Sequence, residues 1–292
     1  MAAAATSSRG KAGLARNFSL EATRPSVAEI VALADIVPSG TAVYLTAVPT
    51  QSVGELGEAA ARLRKAGFEP VAHVAARRLS SIDHLKELLK SVRGEADMRR
   101  LLVIAGDVDT HGPFADALAV IQTGLLRKAG IEEIGISGYP ESHPRIAADR
   151  LEAALDQKIA AARAAGLRVH IASQFSFAPD IVVGWLRRLR QCGIAAPVKV
   201  GMAGPASLPA LIRYARRCGV AASLRGVMHG AATGLIGHVG PDRILDALAS
   251  ADGLGDIAPH YFSFGGVVAT ARYACAAAAG RLPADHAMAR GN

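Results

Sequence analysis

The sequence predicts an α/β protein, a (β/α)8 barrel of the TIM-barrel type that forms a single domain. Eight short apolar runs recur along the chain, and helical patterns separate them. This alternation is typical of β-α-β units and a parallel sheet. Eight such units in 292 residues favour a closed barrel over an open, doubly wound sheet.

The eight predicted strands are short runs rich in β-branched and other apolar residues. They cover residues 17–23, 42–48, 70–75, 100–106, 133–138, 168–175, 197–202 and 259–264.

The predicted helices are recognised by apolar spacing and by caps. Apolar side chains repeat at helical spacing over 53–63 and again over 182–189. Ser81 and Ser207 each stand ahead of another apolar stripe and are expected to be N-caps. The seventh connection is long, so extra helices are expected over 226–250, between strands seven and eight.

We predict a disordered N-terminal segment over 1–16, the barrel over 17–285 and a tail over 286–292. The opening residues lack the continuous apolar stretch of a secretory signal. No apolar run reaches the roughly 18 residues that a membrane-spanning helix needs. We therefore expect a cytoplasmic protein with no membrane partner.

The chain carries a net charge of +8, spread over short clusters. Such clusters usually form the solvated faces of helices, and they would also attract anionic small molecules such as nucleotide cofactors. No interleaved aromatics or nucleic-acid motif accompany the charge, so nucleic acid is not expected. The chain's cysteines suggest neither a disulfide framework nor a zinc site, because they are widely spaced and odd in number: Cys192, Cys218 and Cys275.

Polar side chains stand at the carboxyl ends of the predicted strands, where barrels of this kind build their active sites. They are Glu21, Thr46, His73, Asp107, Tyr139, Gln174 and Ser263, together with the turn at Gly201.

Glu21 and Asp107 end predicted strands one and four and are expected to face the central mouth. A buried carboxylate is costly unless it is paired or its pKa rises. If the two environments differ, one group can stay protonated as a general acid while the other stays ionised to balance a positive intermediate. The alternative is a pair of salt bridges to Arg24 or another loop cation.

Other candidate positions have two interpretations as well. His73 lacks an HxH or HExxH neighbour, so a hydrogen-bonded core or cofactor-contacting histidine is favoured over a metal ligand. Tyr139 lies in the turn 137–144 and either stacks on a planar ligand or only punctuates a loop. The glycine-rich run 234–240 does not match GxGxxG after a strand, so it is assigned no nucleotide-binding role.

Six segments together resemble the methylenetetrahydrofolate reductase family of flavin-dependent (β/α)8 barrels, in its short, bacterial-type form. The family's usual forms are approximately SFEFFPP, VTYGA, PHLT, LRGD, YPExHP and TQFFF. The likeness runs from about residue 17 to 190, and more faintly to 259–264. The segments are FSLEATRP (18–25), VYLTAV (43–48), PVAHVA (70–75), LLVIAGD (101–107), GYPESHP (138–144) and ASQFSF (172–177).

The resemblance implies FAD-dependent hydride transfer between 5,10-methylenetetrahydrofolate and 5-methyltetrahydrofolate, with NAD(P)H as electron donor. It implies that Glu21 protonates N10 of the folate, that Asp107 stabilises the resulting cation, and that Gln174 contacts the pterin or nicotinamide. It places Glu21, Gln174, Leu208 and Ser263 beside the substrate. Its cofactor-binding positions are Thr46, His73, Gly106, Asp107, Phe114, Ala115, Tyr139, His143 and Lys158.

The chain departs from the family at several positions. Ala105 replaces the arginine before Gly-Asp, Ala22 and Thr23 replace an aromatic pair, and 264–266 lack the arginine that meets the substrate's tail. Two alternatives therefore stay open: a flavin-independent folate reductase that uses a nicotinamide or deazaflavin donor, and a non-catalytic folate-binding subunit of a complex. The family habit predicts a homodimer or homotetramer, acting in methyl synthesis or methyl-group catabolism.

Overall fold

The structure is a computed structural model that describes residues 10–109, 112–220, 223–224 and 241–281. Eight parallel strands form a closed barrel in chain order, as predicted. Each strand falls on one of the predicted runs, because alternating apolar and β-branched residues give a clear signal for buried strands. The strands are β1 Ser19–Ala22, β2 Ala42–Leu45, β3 Glu69–Ala75, β4 Arg100–Ile104, β5 Glu133–Gly138, β6 Arg168–Ser173, β7 Val198–Ala203 and β8 Ile257–Phe262.

Helices surround the barrel, and a short 3-10 turn, Ala76–Arg78, follows β3. The described helices are α1 Lys11–Ala15, α2 Val27–Ala34, α3 Val53–Lys65, α4 Ile82–Ala96, α5 Ala117–Gln122, α6 Leu125–Lys128, α7 Ala148–Ala164, α8 Pro179–Gln191, α9 Leu208–Cys218, α10 Asp242–Ser250 and α11 Val267–Ala278.

The two predicted N-caps have different outcomes. The Ser81 hydroxyl accepts a hydrogen bond from the backbone N–H of His84, which confirms the cap of α4. Ser207 precedes α9, but its side chain makes no capping hydrogen bond. Pro209 at the second helical position has no N–H to offer, so one of the usual capping donors is missing.

The prediction for the first 16 residues is corrected in part. Residues 11–15 form α1, and its side chains Leu14 and Ala15 are buried. These apolar groups pack against the helices that close the barrel, so the segment is ordered by burial rather than left in solvent. Residues 1–9 and the predicted tail 286–292 lie outside the described residues.

The long connection after β7 holds α9, the helix predicted behind Ser207, and α10. Within the predicted range 226–250, the described residues 241–250 contain one extra helix, α10. The glycine-rich run 234–240 lies outside the described residues.

Buried apolar side chains lie on both faces of the sheet because strand side chains alternate between them, and a further cluster at Phe175, Ala203 and Leu211 packs under α9. One face packs under the helices, with Leu20 and Val43 among its buried residues. The other fills the barrel interior, where a small apolar cluster includes Tyr44, Val71 and Leu102. The barrel closes where β1 pairs with β8, and this register sets Glu21 beside Phe262.

Candidate active site

A carboxylate and two imidazoles meet inside the barrel, toward the carboxyl ends of its strands. Oε2 of Glu21, on β1, lies 3.4 Å from Nε2 of His260 on β8. The same oxygen lies 3.7 Å from Nε2 of His73 on β3. All three side chains are largely buried, and that of Glu21 is the most exposed, at 14%. We call Glu21, His73 and His260 the Glu21 cluster.

The two imidazoles of the Glu21 cluster differ in their hydrogen bonds. Nδ1 of His260 lies 2.9 Å from the hydroxyl of Ser19, which anchors that ring from β1. Nε2 of His73 is buried and has no hydrogen-bond partner among the described residues. A buried polar atom without a partner is costly, so this nitrogen is available to an atom that enters the barrel mouth.

Burial lowers the pKa of His73, although the charge of Glu21 opposes this effect. Because the pKa lies below its ordinary value of 6.5, the imidazole ring is neutral at pH 7. A neutral imidazole beside a carboxylate can take a proton from one ligand atom and return it to another.

Asp107 does not belong to the Glu21 cluster; it forms salt bridges with two arginines. Its Oδ1 is 2.5 Å from Nη2 of Arg78, and its Oδ2 is 2.8 Å from Nη2 of Arg217 at the end of α9. Burial acts to raise the pKa of Asp107, but the hydrogen bonds from both arginines lower it overall. The salt-bridge alternative is therefore the observed arrangement for Asp107, in the form of two ion pairs.

The observed partners of Glu21 differ from the predicted one, Arg24. Among the described residues, its carboxylate faces the imidazoles of the Glu21 cluster and forms no ion pair with Arg24. Arg24 instead has a left-handed backbone with φ of 46°.

Several other predicted positions surround the mouth. The hydroxyl of Thr46 donates to Thr23 at 2.9 Å, and Oε1 of Gln174 accepts from the N–H of Phe175 at 3.1 Å. The hydroxyl of Ser263 is buried and lacks a partner among the described residues.

Three predicted positions are defined by the backbone or by packing. Gly106 has φ of +94°, where a side chain would be strained. Phe114 is 4% exposed and belongs to the core between barrel and helices. Leu208 is half-buried and is the first residue of α9.

A groove of about 530 Å³ opens beside the carboxyl ends of β4 and β5. Tyr139, Lys158 and Ala105 line it, whereas the residues of the Glu21 cluster do not. The ring of Tyr139 contacts His143 edge-on, with 5.3 Å between centroids. The carbonyl of Ala115 nearby accepts from Nε of Arg77 at 2.7 Å.

Lys158 is the notable charge of this groove because its side chain is buried. Its Nζ lies 3.5 Å from the carbonyl of Ser137, a long hydrogen bond. Burial lowers the pKa of Lys158 to about 8, opposed by the charge of Asp116. An anion in the groove would gain from this poorly solvated ammonium group.

The sequence interpretation missed Ser19, Tyr44 and His260 because it considered polar side chains only at strand ends. All three lie within strands and share the inward-facing side with Glu21. A signal for them exists in the chain: a polar residue flanked by apolar ones inside a buried strand points into the barrel.

Within the described ranges, no group of three or more His, Cys, Asp or Glu side chains is placed to hold a metal ion. None of the helices in those ranges has both the length and the apolar character needed to cross a bilayer.

No family model matches the sequence. One solved structure that the chain resembles is described as "a putative phosphonomutase from Burkholderia cenocepacia J2315". The two share 13% identity over 78% of this chain and 100% of that one, with a TM-score of 0.47.

This comparison corrects the predicted activity. The matching barrel is described as "a putative phosphonomutase" and not as a flavin-dependent folate oxidoreductase, so we do not propose the folate activity or its alternatives for this chain. At this TM-score the likeness gives no argument for a phosphonomutase activity in this chain either. FAD and NAD(P)H, the homo-oligomer and the cytoplasmic location stay predictions.

Proposed function

We propose that the chain is an enzyme that moves a proton on a small anionic molecule bound at the carboxyl mouth of the barrel. The observation that carries this proposal is the buried, unpartnered Nε2 of His73, which lies 3.7 Å from the carboxylate of Glu21.

Other unpartnered polar atoms support a ligand site at the same mouth. Among the described residues, Oγ of Ser263 and Nε of Arg78 are buried without a hydrogen bond. They follow β8 and β3, so they lie on two sides of the mouth. A bound ligand with several polar atoms would satisfy groups that are otherwise costly to bury.

The charge at the mouth favours an anion. Two arginines share the single carboxylate of Asp107, which leaves a surplus positive charge at the rim. Arg77 adds a further guanidinium beside the same loops. A carboxylate or phosphate group on the ligand would be drawn to these cations.

The Glu21 cluster supplies the chemistry. Neutral His73 can accept a proton from the ligand at Nε2, and the carboxylate of Glu21 beside it stabilises the imidazolium that forms. His260, anchored by Ser19, fixes the position of the carboxylate from the other side.

Proton movement can be tested before the substrate is known. The protein is incubated in D2O with a panel of small carboxylates and phosphate esters, and loss of carbon-bound protons is followed by ¹H NMR. We expect wild-type protein to exchange at least one panel member, and Glu21→Gln and His73→Asn to slow that exchange by about 100-fold or more.

Glu58→Gln is the matched control, because this glutamate is 65% exposed on α3. It is expected to exchange at the wild-type rate. Equal rates in Glu21→Gln and wild type, or no exchange of any panel member by wild type, would contradict the proposal.

We also propose that the groove beside Tyr139 holds an anionic cofactor, for which FAD is the predicted candidate. The groove is lined by four basic side chains and by four carboxylates, those of Asp116, Glu141, Glu152 and Asp156. Phosphate oxygens therefore fit best beside the buried ammonium of Lys158 and the guanidinium of Arg77, and the ring of Tyr139 offers a stacking surface.

The visible spectrum of the purified protein tests the cofactor. Flavin bands are expected in wild type and in Lys65→Met, whose lysine is exposed on α3, and weaker bands in Lys158→Met. A colourless protein that takes up no added FAD would refute the flavin.

A further inference from the structure

A second polar network lies deeper in the barrel, and the proposed proton transfer does not use it. The hydroxyl of Tyr44, on β2, lies 2.8 Å from Nε2 of His170 on β6. Nδ1 of His170 lies 2.8 Å from Oε1 of Glu133 on β5. Tyr44 is fully buried and His170 is 2% exposed. Three hydrogen-bonded side chains therefore cross the barrel beneath the Glu21 cluster.

The protonation states of these groups give the network one direction. Burial raises the pKa of Tyr44, so the phenol keeps its proton. Burial lowers the pKa of His170 despite the opposing effect of Glu133, so the ring is neutral and carries one N–H. Tyr44 then donates to Nε2 of His170, and Nδ1–H of His170 donates to the Glu133 carboxylate.

The ring of Tyr44 also touches the Glu21 cluster from below. Its centroid lies 4.6 Å from that of His260 and 6.3 Å from that of His73, edge-on in both cases. The Cα of Tyr44 is the register partner of Glu21. The phenol ring of Tyr44 thus packs edge-on against both imidazoles.

The backbone of β5 makes room for this network. A Cβ at Gly135 would lie 2.5 Å from Nε2 of His170, so only glycine leaves space for the imidazole there. At the lower end, Nε of Arg100 on β4 lies 3.1 Å from Glu133, and half-buried Lys199 on β7 adds a further cation. Together with the Glu21 cluster above, these groups present a titratable or charged side chain to the interior from every strand.

We propose that Tyr44, held by His170 and Glu133, is a positioning residue that keeps the imidazoles of His73 and His260 in place opposite Glu21. The inference rests on the proposed role of the Glu21 cluster. Tyr44 is fully buried and its hydroxyl is engaged by His170, so it acts through the imidazoles and not on the ligand.

The experiment measures the histidines directly, on the full chain without ligand. Long-range ¹H–¹⁵N spectra of labelled protein report the tautomer of each imidazole, and a pH titration reports its pKa. In Tyr44→Phe the ring remains but loses its anchor, so we expect the pKa of His73 to rise toward the ordinary histidine value as water reaches a looser site. His170→Leu is expected to do the same, whereas His170→Gln, whose amide oxygen can still accept from Tyr44, should retain wild-type behaviour.

Tyr261→Phe is the matched control. Tyr261 is also fully buried and neighbours His260 in sequence, but its hydroxyl has no hydrogen-bond partner among the described residues. It is expected to leave the pKa of His73 and the tautomer of His260 unchanged.

Unchanged titration of His73 and unchanged tautomers in folded Tyr44→Phe and His170→Leu would overturn the proposal. Failure of both variants to fold would assign the network a structural role and would overturn it as well. Because no substrate enters the measurement, a negative result in the deuterium-exchange assay leaves this test standing.

Discussion

Replacing Glu133 by glutamine should destabilise the protein at neutral pH and much less in acid. The side chain of Glu133 is 17% exposed and accepts from Nδ1 of His170 at 2.8 Å. Arg100 lies 3.1 Å away, and Arg168 lies 3.5 Å away. Burial acts to raise the pKa of Glu133, but these partners together lower it from 4.5 to about 2.

The size of the effect follows from this pKa. At about 1.36 kcal/mol per pKa unit, the difference corresponds to about 3 kcal/mol. Solvent screens the pair with Arg168, whose side chain is 70% exposed, and this reduces the expected contribution to about 1–2 kcal/mol. A lowered pKa in the folded state stabilises the protein above the unfolded value of 4.5, and this stability is lost as the pH falls toward 2.

Urea unfolding followed by circular dichroism at pH 7 and pH 3 checks the prediction. Glu133→Gln should lower the free energy of unfolding by about 1–2 kcal/mol at pH 7, with a clearly smaller difference from wild type at pH 3. Glu132→Gln is the control, since the neighbouring carboxylate is 39% exposed and should matter little. An equal loss at both pH values would refute the reasoning.

Two further predictions concern packing and thiol access. A Cβ at Gly201 would lie 2.4 Å from a backbone carbonyl oxygen of β6, so Gly201→Ala should lower the free energy of unfolding by about 1–3 kcal/mol. Gly54→Ala is the control, because a Cβ there would meet nothing within 4 Å and should not destabilise the protein. Equal melting temperatures of the two variants would contradict this. Iodoacetamide should alkylate exposed Cys192 before Cys218, because burial raises the pKa of Cys218 to about 11. Asp107→Asn should speed the reaction of Cys218, because it removes the salt bridge that holds Arg217 at the end of α9. An unchanged rate at Cys218 would count against this role of the salt bridge.

The barrel could be predicted from the sequence because each strand carries its own signal. Apolar runs and apolar–polar alternation indicate a buried strand from the local sequence alone. A closed barrel is then expected from eight such strands with helices between them. The helix at 11–15 was missed because its few apolar side chains are stabilised only by distant helices. Local sequence does not record that burial.

The site was predicted only in part for a similar reason. Glu21 and His73 stand where inward-facing polar residues are expected, and the structure brings them together. The partners of Asp107 are less accessible to sequence reasoning, because Arg217 is 110 residues away and reaches it from the end of a helix. Nearby Arg24 offered a simpler partner for Glu21, yet the side chain that faces it comes from β8, 239 residues away.

The pairing of β1 with β8 also has a consequence for the order of folding. Ser19 and Glu21 stand on one side of this seam and His260 on the other, so the Glu21 cluster is incomplete until the first and last strands meet. Contacts between such distant segments carry a large loop-closure cost and form late. A folding intermediate that lacks β8 would contain most of the barrel's sheet and none of its complete site, so the titration of His73 can serve as a reporter of barrel closure.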